Sequence, residues 1–239
     1  MGILLGERVR ILRRAAAPGR EEVLDVGAGR GGFVETARRS GFRATGIEPS
    51  EQGARTAAQR GAPVTRASIE DADINRSSID VITMWHVLEH LEDPATALAR
   101  VAGWLTPGGV AIIAVPNLDS LQARIGGPRW FHLDVPRHRS HFTPAGLDAL
   151  LSQVGLERSL TRQVLIDNVF GMWQTWCNRL TRTPSYLYNL LRRNSPLLSR
   201  DLPLTLLALP LVPVAVVVEL LAGIAGRGGT MVIVARRRG

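Results

Sequence analysis

The chain contains no lysine: all 29 of its basic residues are arginine. That excludes the catalytic Tyr-x-x-x-Lys pair used by one group of nicotinamide-dependent oxidoreductases. Its one cysteine, Cys177, excludes an internal disulfide framework and fits a reducing compartment. Aromatic residues are scarce, with five Trp and two Tyr, and no basic stripe is interleaved with stacking rings. A nucleic-acid partner is therefore not expected. An unbroken apolar opening is also missing. Glu7, Arg8 and Arg10 interrupt Ile3, Leu4, Leu5, Val9, Ile11 and Leu12, which argues against a signal peptide. Residues 1–20 read instead as an amphipathic first helix that packs on the domain or touches a membrane. No internal repeat is present.

What the chain does have is 239 residues, room for one α/β domain with an embellishment, and a net charge of +8. An excess of that size calls for an anionic partner, here a membrane surface. Short apolar runs alternate with helical patterns. Strands are predicted at Glu22–Val26, Ala44–Ile47, Val64–Ala67, Ile79–Met84 and, after a turn at Thr106–Gly109, Val110–Val115. Helices are predicted at Phe33–Arg39, Gln52–Gln59, Pro94–Leu105 and Pro144–Val154. A strand at Leu156–Leu165 and a last one at Thr230–Ala235 follow. This order implies an α/β fold: a Rossmann-like, seven-stranded, mostly parallel sheet with helices on both faces. Ligands of such sheets lie at the carboxyl ends of the strands, near the switch in strand order.

The first strand runs into Asp25-Val-Gly-Ala-Gly-Arg-Gly-Gly32. Gly27, Gly29 and Gly32 satisfy the G-x-G-x-x-G pattern of dinucleotide enzymes, and Glu48 follows at the distance of a ribose-binding acid. The pattern alone therefore leaves a nicotinamide-dependent oxidoreductase open. Asp25 tips the balance. It stands two residues before the first glycine, where a carboxylate suits a cationic amino group better than a pyrophosphate, and burying it unpaired is costly.

Two further stretches, Asp80-Val-Ile-Thr-Met-Trp-His-Val-Leu-Glu-His-Leu-Glu-Asp-Pro94 and Trp104-Leu-Thr-Pro-Gly-Gly-Val-Ala-Ile-Ile-Ala-Val-Pro-Asn117, carry a resemblance. With the glycine turn and Glu48 they closely resemble class I S-adenosylmethionine-dependent methyltransferases, in the branch that includes ubiquinone-biosynthesis O-methyltransferases. The resemblance spans Glu21 to Leu151 and extends to Phe131-His-Leu-Asp-Val-Pro-Arg-His138 and His141-Phe-Thr-Pro144. It implies S-adenosylmethionine as cofactor. Asp25, Gly27, Ala28 and Gly29 match the motif that holds the methionine part, Glu48 the acid on the ribose hydroxyls, and Ile69 the border of the adenine. Ser68 departs from the pattern, since many relatives carry an aspartate there. The motif of amino-methylating nucleic-acid enzymes, Asn/Asp-Pro-Pro-aromatic, is absent; Val115-Pro-Asn117 does not match it.

Methyl transfer is an in-line displacement on an activated carbon, so alignment and exclusion of water matter most. An oxygen nucleophile also needs its proton removed. His86, Glu89 and His90 are predicted to share one face of a helical turn, and His132, Asp134, His138 and His141 follow the fifth strand. His86, His90 and His138 are the candidate catalytic residues, with a pocket-lining or scaffold role as the alternative. Some relatives have acids at the positions of His86 and Glu89 and are thought to hold magnesium. An imidazole at 86 suits softer ions, and no metal is expected. Trp130 and Phe131 could form an apolar lid.

Leu202–Ala225 is 24 residues long with Glu219 as its sole charge, enough to span a bilayer by length. Pro203, Pro210, Pro213 and Glu219 argue against a straight span, and Thr230–Ala235 must return to the sheet. Arg192, Arg193 and Arg200 precede the segment; Arg227 and Arg236–Arg238 follow it, placing both flanks on one side. A hydrophobic helical insertion before the last strand is the expected form, entering one leaflet or capping a buried surface. The chain thus reads as a helix (1–20), a cofactor-binding core (21–166), an apolar helical insertion (167–229) and a last strand with a basic tail (230–239). The expected enzyme is an O-methyltransferase for a small-molecule or lipid-linked acceptor, cytoplasmic and peripheral on the inner face of the plasma membrane. A nicotinamide oxidoreductase, a nucleic-acid methyltransferase and a non-catalytic binding module remain as rivals.

Overall fold

The computed structural model describes residues 2–163, 165–191 and 199–238. Arg192 and Arg193 lie outside the described residues, as does Val164 in the expected strand 156–165. The chain forms α1 (Ile3–Ala15), β1 (Glu22–Val26), α2 (Gly32–Arg39), β2 (Arg43–Glu48), α3 (Glu51–Gln59), β3 (Val64–Arg66), β4 (Ile79–Trp85), α4 (Pro94–Trp104) and β5 (Leu105–Pro116). Then come α5 (Leu121–Gly126), α6 (Pro144–Gln153), β6 (Leu156–Gln163), α7 (Leu165–Leu180), α8 (Tyr186–Leu191), α9 (Asp201–Leu207), α10 (Val212–Ile224) and β7 (Thr230–Arg237).

All seven strands form one sheet in the order β3-β2-β1-β4-β5-β7-β6. Strands β1 to β5 pair in parallel. Their interior positions are apolar because both faces of the sheet are covered: Val23, Leu24, Val81, Ile82, Ile112 and Ile113 are all buried. Strand β7 is antiparallel. At its start the Gly229 carbonyl accepts a 2.9 Å bond from the Asn117 amide at the end of β5. At its other end the Arg237 guanidinium bonds the Leu105 carbonyl, where β5 begins. The strand order reverses between β1 and β4, so their carboxyl ends flank the crevice expected of a doubly wound sheet.

Local chemistry sets the helix starts. Ser50 caps α3 by accepting from the Gly53 amide, and Asp93 caps α4 by accepting from the Thr96 amide, with Pro94 in the first turn. Helix α1 buries Val9, Ile11 and Leu12, and the Arg8 guanidinium lies 4.9 Å from the centre of the Trp85 ring. It packs on its own unit through that face. One expected boundary moves. Thr106–Gly109 is not a turn preceding the fifth strand but a bulge within β5, whose Leu105 pairs with Ile79 and whose Val110 pairs with Val81.

Two compact units result: residues 1–115, 145–161 and 232–239, and residues 116–144 and 162–231. This differs from the division into 21–166 and 167–229. The histidine-bearing stretch after β5 belongs to the second unit, because it packs on α7: the Phe131 amide donates to Thr175 Oγ1, and Asn178 donates to the Arg129 carbonyl.

Candidate cofactor site

Strand β1 ends in Asp25 and Val26, and the chain then turns sharply. Gly27 has φ of +71°, and a Cβ there would sit 2.5 Å from Val87 Cγ2, so only glycine fits both the dihedral and the space. The turn's own amides are largely used up. Gly27 and Ala28 both donate to the Ile47 carbonyl at 2.9 Å, Gly31 donates to Ala28, and Gly29 donates to Glu48 Oε2 at 2.8 Å. The other Glu48 oxygen accepts from the Ser50 amide at 2.9 Å. Gly53 lets α3 approach this carboxylate: a Cβ on it would meet Glu48 Cγ at 2.8 Å. Glu48 therefore ties the glycine turn to the end of β2.

Asp25 is 3% exposed, and its Oδ1 accepts a 2.6 Å bond from the Thr83 hydroxyl. The two residues are register partners across β1 and β4, so their side chains leave the sheet on the same face. Burial pushes the Asp25 carboxyl up to about 7; the Thr83 bond and the charge of Arg8 pull it down, and the charge of Glu48 raises it further. Such a carboxyl seeks a cation. Thr83 is a residue that sequence reasoning missed. Its signal was a lone hydroxyl in the apolar interior of a central strand.

A cleft of about 410 Å³ opens beside this turn, lined by Val26, Gly27, Ile47, Glu48, Ile69, His86, Val87 and His90 among others. Gly27, Glu48, Ile69, His86 and His90 are thus brought together. Asp25, next in sequence to the lining residue Val26, is buried and does not itself line the cleft. Ala28 turns its methyl toward Gly46, which leaves its backbone as the part that shapes the turn. Ser68 and Glu70 also line the cleft, but the Ser68 hydroxyl is engaged with Asp71 at 2.7 Å.

His86, Glu89 and His90 do not share a helical face as expected. His86 is left-handed, with φ of +58°, and its amide is held by the Ala114 carbonyl of β5 at 3.0 Å. Only Leu88–His90 forms a short 3₁₀ turn. His86 Nδ1 and Glu89 Oε1 are nonetheless 3.2 Å apart, because the kink at 86 folds the ring back over the turn. Glu89 is 1% exposed, whereas His90 faces solvent. His138 lies in the second unit, buried, with Nδ1 2.7 Å from the His132 carbonyl. His141 Nε2 is 2.9 Å from the Leu133 carbonyl. Both rings brace their own loop, the scaffold alternative of the sequence reading. Trp130 is 3% exposed and packs beside His132 and His141, while Phe131 sits edge-on to Phe170 and Tyr188. These contacts make both rings part of the packing of the second unit.

The methyltransferase-domain family matches residues 6–159. The ubiquinone biosynthesis O-methyltransferase of Photobacterium profundum is 28% identical over 151 residues, which cover 57% of this chain and 64% of that protein. The chain thus spans under two thirds of that relative. The corresponding protein of Xanthomonas axonopodis is 27% identical over 186 residues, covering 72% of this chain and 74% of its own length. Among solved structures, a methyltransferase of Thermotoga maritima described as a possible histamine N-methyltransferase superposes with a TM-score of 0.61 at 17% identity, covering 98% of this chain and 89% of its own. The [4+2]-cyclase SpnF superposes with a TM-score of 0.64 at 17% identity, covering 97% and 80%. Likeness at that identity speaks for the fold, and the cyclase shows that the fold hosts more than one chemistry. The family match covers most of the chain and contains the glycine turn, Glu48 and the Asp80–Pro94 stretch: the chain belongs to the class I S-adenosylmethionine-dependent methyltransferases.

Proposed function

We propose that the chain transfers the methyl group of S-adenosylmethionine to an oxygen of a small or lipophilic acceptor. The observation that carries this reading is the pairing of two acids with a glycine turn whose amides are already engaged. Asp25 and Glu48 make the cleft edge attractive to an ammonium and to sugar hydroxyls. They are unsuited to the pyrophosphate of a dinucleotide, which needs free amides and no nearby carboxylates. The residues present therefore fit the sulfonium cofactor: Asp25 for the amino group, Glu48 for the ribose hydroxyls, Ile69 and Val26 for the adenine edge, with Gly27 and Gly29 giving clearance.

The bound cofactor would supply an already activated methyl group. The chain's part is to orient the acceptor, exclude water and take up a proton. His86 is the candidate base, with His90 beside it on the cleft. The Glu89 carboxylate, on the Nδ1 side of the His86 ring, balances the charge of an imidazolium once the proton is taken. His138, bonded within its own loop, is better suited to positioning.

The O-methyltransferase names of the relatives favour an oxygen acceptor. The apolar residues 202–225 and the excess of arginine favour a membrane surface as the workplace, with the protein peripheral on the cytoplasmic side of the plasma membrane. The test is calorimetry with S-adenosylmethionine against NAD, followed by labelled methyl transfer into a total lipid and metabolite extract. Tight binding of NAD, or no loss of S-adenosylmethionine binding in Asp25→Ala, would sink the assignment. A chain that binds cofactor but labels nothing would be a binding module.

A further inference from the structure

Helix α10 has two unlike faces. On the inner face Ala215, Glu219 and Ala222 are buried, and α10 packs against α7 with Met172, Trp173 and Cys177 in the shared core. Glu219 is fully buried, accepting 2.8 Å bonds from Gln122 Nε2 and from the Gly229 amide. On the outer face Val214, Val217, Leu221 and Ile224 are exposed, Ile224 by 83%, and Leu207 of α9 (76%) and Leu211, just before α10, are exposed ahead of them. They recur every three or four residues, so they form one stripe along the α9–α10 segment. A soluble monomer seldom shows such a continuous apolar surface without a use for it.

We propose that this stripe lies flat in one leaflet of an anionic bilayer, in the plane of the surface, with the arginines at its ends on lipid phosphates. The proposal rests on the membrane reading above and adds its geometry and lipid chemistry. The helical run Asp201–Ile224 has 24 residues and is long and apolar enough to cross a bilayer, so Glu219 decides against a span: crossing would strip its carboxyl from Gln122 and the Gly229 amide and expose it to lipid. Charge decides against a second copy of the chain as the occupant. Arg200 and Arg227 are exposed at the two ends of the segment, so a dimer across the stripe would bring arginine to arginine in either orientation. Anionic phosphates meet the same arginines favourably, while the outer leucines enter the acyl boundary.

The experiment uses the full chain and phosphatidylcholine vesicles with or without phosphatidylglycerol, separated by flotation. The chain should float with the phosphatidylglycerol vesicles and weaken as salt is added. Leu207→Asp with Leu221→Asp should abolish flotation while S-adenosylmethionine binding stays unchanged. If the aspartates lower the melting temperature, Leu207→Ser with Leu221→Ser makes the same test. Arg200→Gln and Arg227→Gln should each weaken binding to phosphatidylglycerol vesicles about fivefold and leave phosphatidylcholine binding alone. Nitroxides on Leu207→Cys, Val214→Cys and Leu221→Cys, each in a Cys177→Ser chain, should report equal depths. A deep middle between shallow ends would mean a span and overturn the proposal. So would flotation that survives the aspartates, a chain that binds neither vesicle, or a stripe-dependent dimer in sedimentation. Cofactor binding is measured without lipid, so failure here leaves the methyltransferase reading standing, and the reverse also holds.

Discussion

The Thr83 hydroxyl donates a 2.6 Å hydrogen bond to the Asp25 carboxylate across the paired strands β1 and β4. This bond partly offsets the burial of an acid that has little other compensation, and it fixes one carboxyl oxygen against β4. The consequences for cofactor binding are measurable.

Cofactor affinity should depend on pH. The Asp25 carboxyl titrates near 7 because it is buried, and only its charged form attracts an ammonium. S-adenosylmethionine binding should therefore weaken as pH falls through about 7, approaching tenfold per unit below it. Binding should release protons near that pH, read by calorimetry in buffers of different ionisation enthalpy. A flat profile from mildly acidic to mildly alkaline pH contradicts the assignment.

The same group works against stability. An acid whose folded value is raised binds its proton more tightly when folded. Its contribution to stability is present in acid and is lost as pH rises from the ordinary value of 3.8 to about 7. Asp25→Asn should thus stabilise the cofactor-free protein at neutral pH by on the order of a few kcal/mol and abolish binding. Thermal melts with and without cofactor test both halves.

Thr83→Val keeps the shape and removes the donor. The Asp25 titration should move upward, and affinity at neutral pH should drop by roughly tenfold. A merely structural threonine would lower the melting temperature without moving the pH profile.

Gly27→Ala should destabilise by about 1–3 kcal/mol, since it combines a positive φ with a collision on Val87. Adding Val87→Ala should recover only the collision part, read from denaturant midpoints.

Glu48→Gln keeps an acceptor for only one of the Gly29 and Ser50 amides and turns its NH2 toward the other, so the melting temperature should fall modestly while cofactor affinity falls by about tenfold or more. Glu48→Ala should lose both. If the glutamine variant binds the cofactor normally, Glu48 is a brace for the turn and nothing further.

Much of the site was legible in order along the chain. The glycines after an apolar run, Asp25 before them and Glu48 beyond them are local signals, because strand, turn and next strand are contiguous and their backbone demands are met by neighbours in sequence. The alternation of strands and helices likewise announced the sheet, since a parallel pair requires a crossover. The shape of the apolar segment was legible only in part: its length and prolines were visible, but which way Glu219 points was not.

Other features depended on tertiary contacts. Thr83 matters because the register of β1 against β4 sets it beside Asp25, 58 residues away. His86 leaves the expected helical face because its amide is held by β5 and its backbone turns left-handed, which no local spacing reports. His138 braces its own loop by a ring hydrogen bond to the His132 carbonyl, a contact set by how the loop folds back and not by any regular spacing. Glu219 turned inward because Gln122, 97 residues earlier, and Gly229 were there to bond it. Sequence by itself determined the family, the alternation of strands and helices and the glycine turn after the first strand, all of which rest on local backbone chemistry. Only the tertiary structure decided which buried polar groups found partners, because burial and hydrogen bonding are settled between segments that the chain keeps far apart.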